Sequence, residues 1–409
     1  MLKNLRQLFD YDRMVKYSWL LWIPVALYYP RFIKSPAGML DFPVGASCML
    51  NSEILDACNP GWTYPPVVAF FMIPFTFIPM WMKNAVWYVV SIAAIYFGFK
   101  LCERAVSKTF AVEFEAKELF WLRAITFVLS TKFILSVLEN QAYDFLIFFL
   151  VVLGVYGLVE KKDITASLGL SLAAAIKATP LLFFPYILFK RRWKVFVLCT
   201  VFFLFFSFLP DFFFTQKGTQ SVYFVTWVQD TVSPSMPDSD GTGVEYFGQG
   251  DNPLNQALNS FVYRISSSIN LKHRFQVMLY AAYAVLLFLI CYILSKSAKL
   301  ESPYVQDAAV LVVAMLMFSP MSSKSHFVVL IIPNMVIVAY LIREKSFRSL
   351  LGYLTLMSFA LSTLTSKDIL GKKLAVAMLN MGCVTMSALL LLIITAMIIF
   401  KTCKDLRIH

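Results

Sequence analysis

Several short polar stretches interrupt an otherwise apolar chain, and each offers a distinct chemistry. Residues 38–66 carry three acids, Asp41, Glu53 and Asp56, and end in Trp62-Thr-Tyr64-Pro-Pro. Asp41 stands between Pro36-Ala-Gly-Met-Leu and Phe42-Pro43. A carboxylate at a membrane–water boundary can have its pKa tuned by burial and neighbours, which suits a general base; a solvated acid or a helix N-cap is the plainer alternative. Glu139-Asn140-Gln141-Ala142-Tyr143-Asp144 puts several polar groups between two apolar helices, either a capped turn or a functional cluster. Lys177 sits within SLGLSLAAAIKATPLLFFPYILF ahead of Pro180, so its ammonium either lines a cavity at a helix break or snorkels to the interface. Asp251-Asn-Pro-Leu-Asn255-Gln256 leads through Asn259 to Arg264, whose guanidinium suits a phosphate or an interfacial anchor. Ser319-Pro-Met-Ser-Ser-Lys324-Ser-His326 holds a histidine flanked by apolar sequence on both sides, either structural or catalytic.

The elements that must position these groups follow from composition. Of 409 residues, 59% are hydrophobic, 16% aromatic and only 15% charged, and the mean hydropathy is +0.70. A soluble domain is nearer half apolar and a quarter charged, so this is an all-α polytopic membrane protein. The amino end (MLKNLRQLFDYDRMVK) has no small-residue cleavage site, so the first span is expected to act as its own insertion signal. The net charge of +12 comes from Lys and Arg between apolar runs, the pattern of cytoplasmic loops, and not from a basic–aromatic groove; nucleic acid is not expected as a partner.

Runs of roughly 20 apolar residues fall near 15–32, 84–103, 118–138, 142–159, 193–212, 275–295, 305–321, 325–342, 347–364 and 374–400. Half-spans at 163–177 and 180–190 flank the Lys177 break, which makes about twelve transmembrane helices. Placing most basic clusters inside closes a topology with both termini cytoplasmic, at the expense of Arg31/Lys34, Lys272/Arg274 and Lys367/Lys372/Lys373. That topology needs the stretch 65–82, broken by Pro65, Pro66, Pro74 and Pro79, to be a re-entrant or interfacial segment of the first outer loop. The chain then reads as one integral membrane domain, 1–409: a catalytic module over 1–212 with outer loop 33–83, a long outer loop 213–274, and C-terminal helices 275–409. All the polar stretches above meet on its outer face.

Other chemistries find little support. The seven cysteines have no metal spacing; Cys48 and Cys58 share the first loop and can be a disulfide or a reduced pair. The Asp-x-Asp pairs Asp10/Asp12 and Asp238/Asp240 lie on the inner side and in a Ser/Pro/Gly-rich turn region, so no metal and no other cofactor is expected. Walker, dinucleotide and Gly-x-Ser-x-Gly patterns are missing.

Taken in order, four segments resemble glycosyltransferase family 87, polyprenyl-phosphate-mannose-dependent α-mannosyltransferases of the GT-C superfamily. They are Asp41 with Asn59-Pro-Gly-Trp-Thr-Tyr64-Pro-Pro66; Asn140-Gln141 with Gly169–Pro180 and Lys190-Arg-Arg-Trp193; Asn255-Gln-Ala-Leu-Asn259 with Arg264; and Phe318–His326. The resemblance implies a GT-C type fold and inverting, metal-independent transfer of a sugar, mannose in the family, from a polyprenyl-phosphate donor to a hydroxyl of a lipid or glycan acceptor. It implies Asp41 as base and Lys177, Arg264 and His326 around the leaving phosphate. Tyr64, Asn140, Gln141, Asp144, Asn255, Gln256 and Lys324 are further candidates for the same site. The chain departs from the family where Val44-Gly45-Ala46 replace a common Tyr and Asp144 a usual Asn. The place expected is the cell inner (plasma) membrane, with the site on the extracytoplasmic side. The alternatives are a lipid-linked oligosaccharide ligase or polymerase, led by Arg and His, and a lipid or solute transporter, which would carry more deep charges than Lys132 and Lys177.

Overall fold

The computed structural model describes residues 15–34, 37–110, 113–217, 221–232 and 252–405, and among them helices and turns are the only regular elements. Both Asp-x-Asp pairs lie outside the described residues. Two helices occupy the stretch expected to be the first loop: α1, Ala37–Leu50, and α2, Pro66–Thr76. They pack on each other and precede a bundle of α3, Met80–Thr109; α4, Ala116–Glu139; α5, Asp144–Val159; α6, Asp163–Ile176; α7, Phe183–Phe189; and α8, Trp193–Phe208. After the long loop come α9, Leu258–Ser268; α10, Phe275–Ser297; α11, Tyr304–Phe318; α12, Ile331–Arg343; α13, Leu350–Thr363; α14, Lys367–Asn380; and α15, Cys383–Asp405.

Among the described residues, five helices are long and apolar enough to cross a membrane: Met80–Thr109, Ala116–Glu139, Lys272–Ser297, His326–Arg343 and Cys383–Asp405. Eight more apolar helices among the described residues have 10–17 residues. The centre of the bundle is α11 and α12, buried along nearly their whole lengths. The α5–α6 hairpin is bonded by its small residues: a Cβ on Gly169 would lie 2.6 Å from the Gly154 nitrogen, and one on Gly157 would lie 2.4 Å from that of Ala166. No side chain fits there, so the two backbones touch.

Local chemistry sets the breaks. The stretch 65–82 forms only the 11 residues of α2, about 16 Å of helix, before Phe77–Pro79 end it and α3 begins. The expected half-spans appear as α6 and as the 3-10 turn Thr179–Leu182 with α7, and Lys177 between them is extended, at φ −149° and ψ 120°. Two expected spans are different. Residues 15–32 form a 3-10 turn, Ser18–Trp22, and two single-turn helices, Ile23–Ala26 and Tyr29–Phe32, because Pro24 and Pro30 fit the first turn of a helix and not its interior. The apolar run 374–400 is divided at Gly382, whose φ of +74° ends α14 before α15 starts.

One side chain ties α1 and the segment before it to α3. Gln141, fully buried and itself at φ +48°, accepts from the Met39 N–H (3.1 Å) and donates to the Phe32 carbonyl (3.0 Å) and Asn84 Oδ1 (3.0 Å). Its own carbonyl accepts from Trp87 Nε1 at 2.8 Å. Cys48 at the end of α1 is bonded to Cys58 in the turn Leu55–Cys58, and the chain-entropy view values such a short ring at about 3 kcal/mol. Gln141→Leu leaves the Met39 N–H and Phe32 carbonyl unpaired in a buried place. It is expected to cost at least about 2 kcal/mol, read as a lower thermal unfolding midpoint of the detergent-solubilised protein. An unchanged midpoint would show that Gln141 does not hold α1 in place.

Candidate functional site

α1 shows one face, Met39, Phe42, Ala46 and Met49, to the core, and leaves Leu40, Asp41, Val44 and Ser47 on the other. Asp41 is exposed and makes no hydrogen bond or ion pair among the described residues, so its carboxylate is available. Beside α1 stands an aromatic wall. The Tyr64 ring meets those of Phe42 (5.3 Å), Trp62 (5.2 Å) and Tyr143 (5.4 Å) edge-on. Gly45 makes room for it, since a Cβ there would lie 2.3 Å from the Trp62 ring. Burial pushes the Tyr64 hydroxyl up to about 12, and the negative charges of Asp144 and Asp41 add to the shift. Tyr64 thus lies within the field of both acids.

Behind the wall is a charged cluster. Asp144, at the start of α5 and 5% exposed at its side chain, accepts from Lys177 Nζ at 2.8 Å; the Lys177 side chain is 15% exposed. The extended backbone at the α6 break is what swings Lys177 towards α5. The Tyr143 ring lies 5.9 Å from the same ammonium. The Ser325 hydroxyl pairs with that of Ser323 at 2.9 Å, and the charges of both Asp144 and Lys177 reach His326, beside which lies the Met321 carbonyl. His326 Nδ1 is enclosed without a hydrogen-bond partner. Asp144, Lys177, Thr179, Ser319, Ser322 and His326 line one small cleft, with room for about one water.

The third stretch braces this loop. Asn255 and Asn259 both donate to the Pro320 carbonyl (3.1 and 2.8 Å), and Asn255 Oδ1 accepts from the Ser322 N–H at 3.1 Å. The Gln256 N–H donates to the Ser322 carbonyl at 2.8 Å, while its carboxamide donates to the Pro253 and Leu379 carbonyls. Arg264 donates through one nitrogen to the carbonyls of Asn252 (3.3 Å) and Asn255 (2.9 Å). Its Nε and other terminal nitrogen are buried and unpartnered among the described residues, and burial brings it down to about 10. The long loop also reaches the first: Trp227 Nε1 donates to the Thr63 carbonyl at 3.1 Å, and the Lys217 N–H to that of Ser52 at 2.8 Å.

The sequence candidates therefore divide. Asp41, Tyr64, Asp144, Lys177 and His326 are brought together around the aromatic wall. Asn140 caps its own helix, donating to Ser136, and Gln141 is the tie between α1 and α3. Asn255 and Gln256 hold the Ser319–His326 loop, and Arg264 holds the turn that carries Asn255. Lys324 points elsewhere, donating to the Thr365 carbonyl at 3.3 Å. Sequence reasoning missed Tyr143, Phe42 and Ser325. Tyr143 alone carried a signal, an aromatic next to a polar turn. As for metals, the one group of His, Cys, Asp and Glu close enough among the described residues is Cys48, Glu53 and Cys58, whose sulfurs are bonded to each other.

Removing one partner of a buried pair leaves an uncompensated charge and costs about 3–5 kcal/mol, whereas apolar replacement of both is near neutral. Lys177→Met should therefore lower the unfolding midpoint strongly, and Lys177→Met with Asp144→Leu should recover most of it. A double variant no more stable than the single one would separate the ion pair from the stability of the fold.

Comparison with known proteins gives the frame for this geometry. No match was found among curated proteins or among solved structures. The profile of glycosyltransferase family 87 matches residues 62–320, more than half of the chain. The match covers Tyr64, Asp144, Lys177 and Arg264; it begins after Asp41 and stops before Lys324 and His326. With its apolar helices and its charged cleft, the chain belongs to glycosyltransferase family 87, and is a membrane glycosyltransferase.

Proposed function

We propose that this enzyme transfers a sugar, mannose as in the family resemblance, from a polyprenyl-phosphate donor to an acceptor hydroxyl, with inversion. The observation that carries the reading is Tyr64, whose hydroxyl feels the charges of both the available carboxylate of Asp41 and Asp144, the partner of Lys177. A base and a cationic pocket near one aromatic wall suit a displacement at a sugar carbon held against that wall. Asp41 takes the proton of the acceptor hydroxyl as its oxygen bonds to the anomeric carbon. The bond from that carbon to the phosphate oxygen breaks, and its electron pair leaves with the polyprenyl phosphate.

Charge grows on the departing phosphate, where fixed cations in a poorly solvated site act most strongly. Lys177, the enclosed His326 ring and the two unpartnered nitrogens of Arg264 are the donors assigned to it. Asp144 holds Lys177 in place and offsets part of its charge. With such donors the reaction needs no metal. The Cys48–Cys58 disulfide fits an oxidising compartment, and Lys100, Arg104 and Lys108, Lys161 and Lys162, Lys190 and Arg343 lie at the helix ends away from the Glu139–Asp144 turn, as cytoplasmic clusters would. Both support a site facing the extracytoplasmic side of the inner (plasma) membrane.

General-base catalysis contributes about 10²–10⁴-fold, so Asp41→Asn is expected to reduce sugar transfer from radiolabelled polyprenyl-phosphate-mannose by that factor in membranes with matched expression. Transfer at the wild-type rate would remove Asp41 from the role of base. No transfer by the wild type itself would overturn the donor.

A further inference from the structure

Residues 54–62 and 216–230 meet at a cleft that the chemistry above leaves unused. It is lined by Asp56, Trp62, Gln216, Tyr223, Trp227 and Asp230, among others, and spans about 260 Å³. Most of that space is open to solvent, and the enclosed floor has room for about one water. The walls are fixed from both sides. The Cys48–Cys58 bond closes the ring that contains Asp56, and the Asp56 carboxylate accepts from the Gly61 N–H at 3.1 Å. The Trp227 indole is bonded to the Thr63 carbonyl, and the Gln216 carboxamide accepts from the Thr226 hydroxyl at 2.9 Å.

Two polar atoms of these walls are unanswered. Trp62 is 2% exposed and Tyr223 is 1% exposed, and neither Trp62 Nε1 nor the Tyr223 hydroxyl has a hydrogen-bond partner among the described residues. Leaving a buried polar group unpaired is costly. An indole N–H only donates and a phenol both donates and accepts, so hydroxyl groups entering the cleft suit both. The charges narrow the class further. Among the described residues that line the cleft, Asp56 and Asp230 are carboxylates and none is a cation. Such a lining repels a phosphate and makes charge-assisted hydrogen bonds to neutral hydroxyls. Trp227, only partly buried, offers the C–H face of a sugar ring a flat apolar surface. The reacting centre is close by. The Trp62 ring meets Tyr64 at 5.2 Å and rests on Gly45, one turn of α1 and about 6 Å of rise beyond Asp41.

We propose that this cleft is a carbohydrate subsite, which takes an uncharged sugar of the acceptor next to the one whose hydroxyl reacts. The acceptor is then a glycan longer than a single sugar. Its assignment to the acceptor rests on the reading of Asp41 as the base beside the Tyr64 wall.

The test reads binding with no donor present, so that a failed transfer assay leaves it interpretable. Purified full-length protein in a sugar-free detergent is mixed with the methyl α-glycosides of mannose, glucose and galactose, or with mannose 6-phosphate, and bound sugar is read by saturation-transfer NMR. The variants are Trp227→Ala, Trp227→Phe and Asp230→Ala, with unfolding midpoints confirming that each is folded. The wild type is expected to bind at least one of the uncharged glycosides, and mannose 6-phosphate more weakly. Trp227→Ala and Asp230→Ala should each weaken the glycoside about tenfold, and Trp227→Phe, which keeps a ring, should recover most of the loss. A wild type that binds none of the three glycosides refutes the subsite, as does binding unchanged in both alanine variants. Mannose 6-phosphate bound as tightly as the uncharged glycoside would overturn the choice of a neutral sugar.

Discussion

One buried carboxamide holds the outer part of this enzyme to its core. Gln141 satisfies a backbone donor of α1, a backbone acceptor of the segment before it and the side chain of Asn84, while its own carbonyl takes the indole of Trp87. All of these groups are enclosed, and in an apolar interior an unpaired amide is expensive. The turn Glu139–Asp144 thus fixes where α1 lies, and α1 carries Asp41. The next residues of the same turn, Tyr143 and Asp144, supply the aromatic wall and the anchor of Lys177. Scaffold and site are six consecutive residues.

The buried charges of the bundle sort by whether they are answered. Arg123 forks onto Glu103 at 2.7 and 2.9 Å; Lys190 and Tyr186 both reach Asp307 at 2.8 Å; Arg192 meets Asp163 at 2.8 Å. These pairs close on themselves, as charges in apolar surroundings must. Arg264, with two enclosed nitrogens free, and Lys132 and Lys324, without carboxylates of their own, do not close. Arg264 is the one of these to which the proposed reading brings an anion from outside, the departing phosphate.

Much of this was legible in the residues. Hydropathy marked the long helices, and the prolines of 65–82 and the Lys177-Ala-Thr-Pro180 break marked where helices had to stop. Apolar composition alone could not distinguish a span from a series of turns, which is why 15–32 read as a helix although Pro24 and Pro30 stood in it. The polar candidates were legible as a set but not in their roles. Asn255 is typed like a ligand-binding residue, yet its carboxamide closes on Pro320 and Ser322, more than sixty positions away. The Tyr64–Tyr143 contact joins segments still farther apart, and no local spacing records it.

The lengths of the helices have a consequence for the membrane itself. α5 has 16 residues, about 24 Å of helix, and α6 and α13 have 14 each, about 21 Å, against a hydrocarbon layer of about 30 Å. α5 and α6 are largely enclosed by their neighbours, but α13 turns Leu350, Tyr353, Leu356 and Met357 outwards, and a lipid-facing helix that short is matched by a thinner bilayer, by snorkelling flanks or by association. The thickness of the surrounding bilayer is thus one of the conditions under which this bundle is assembled.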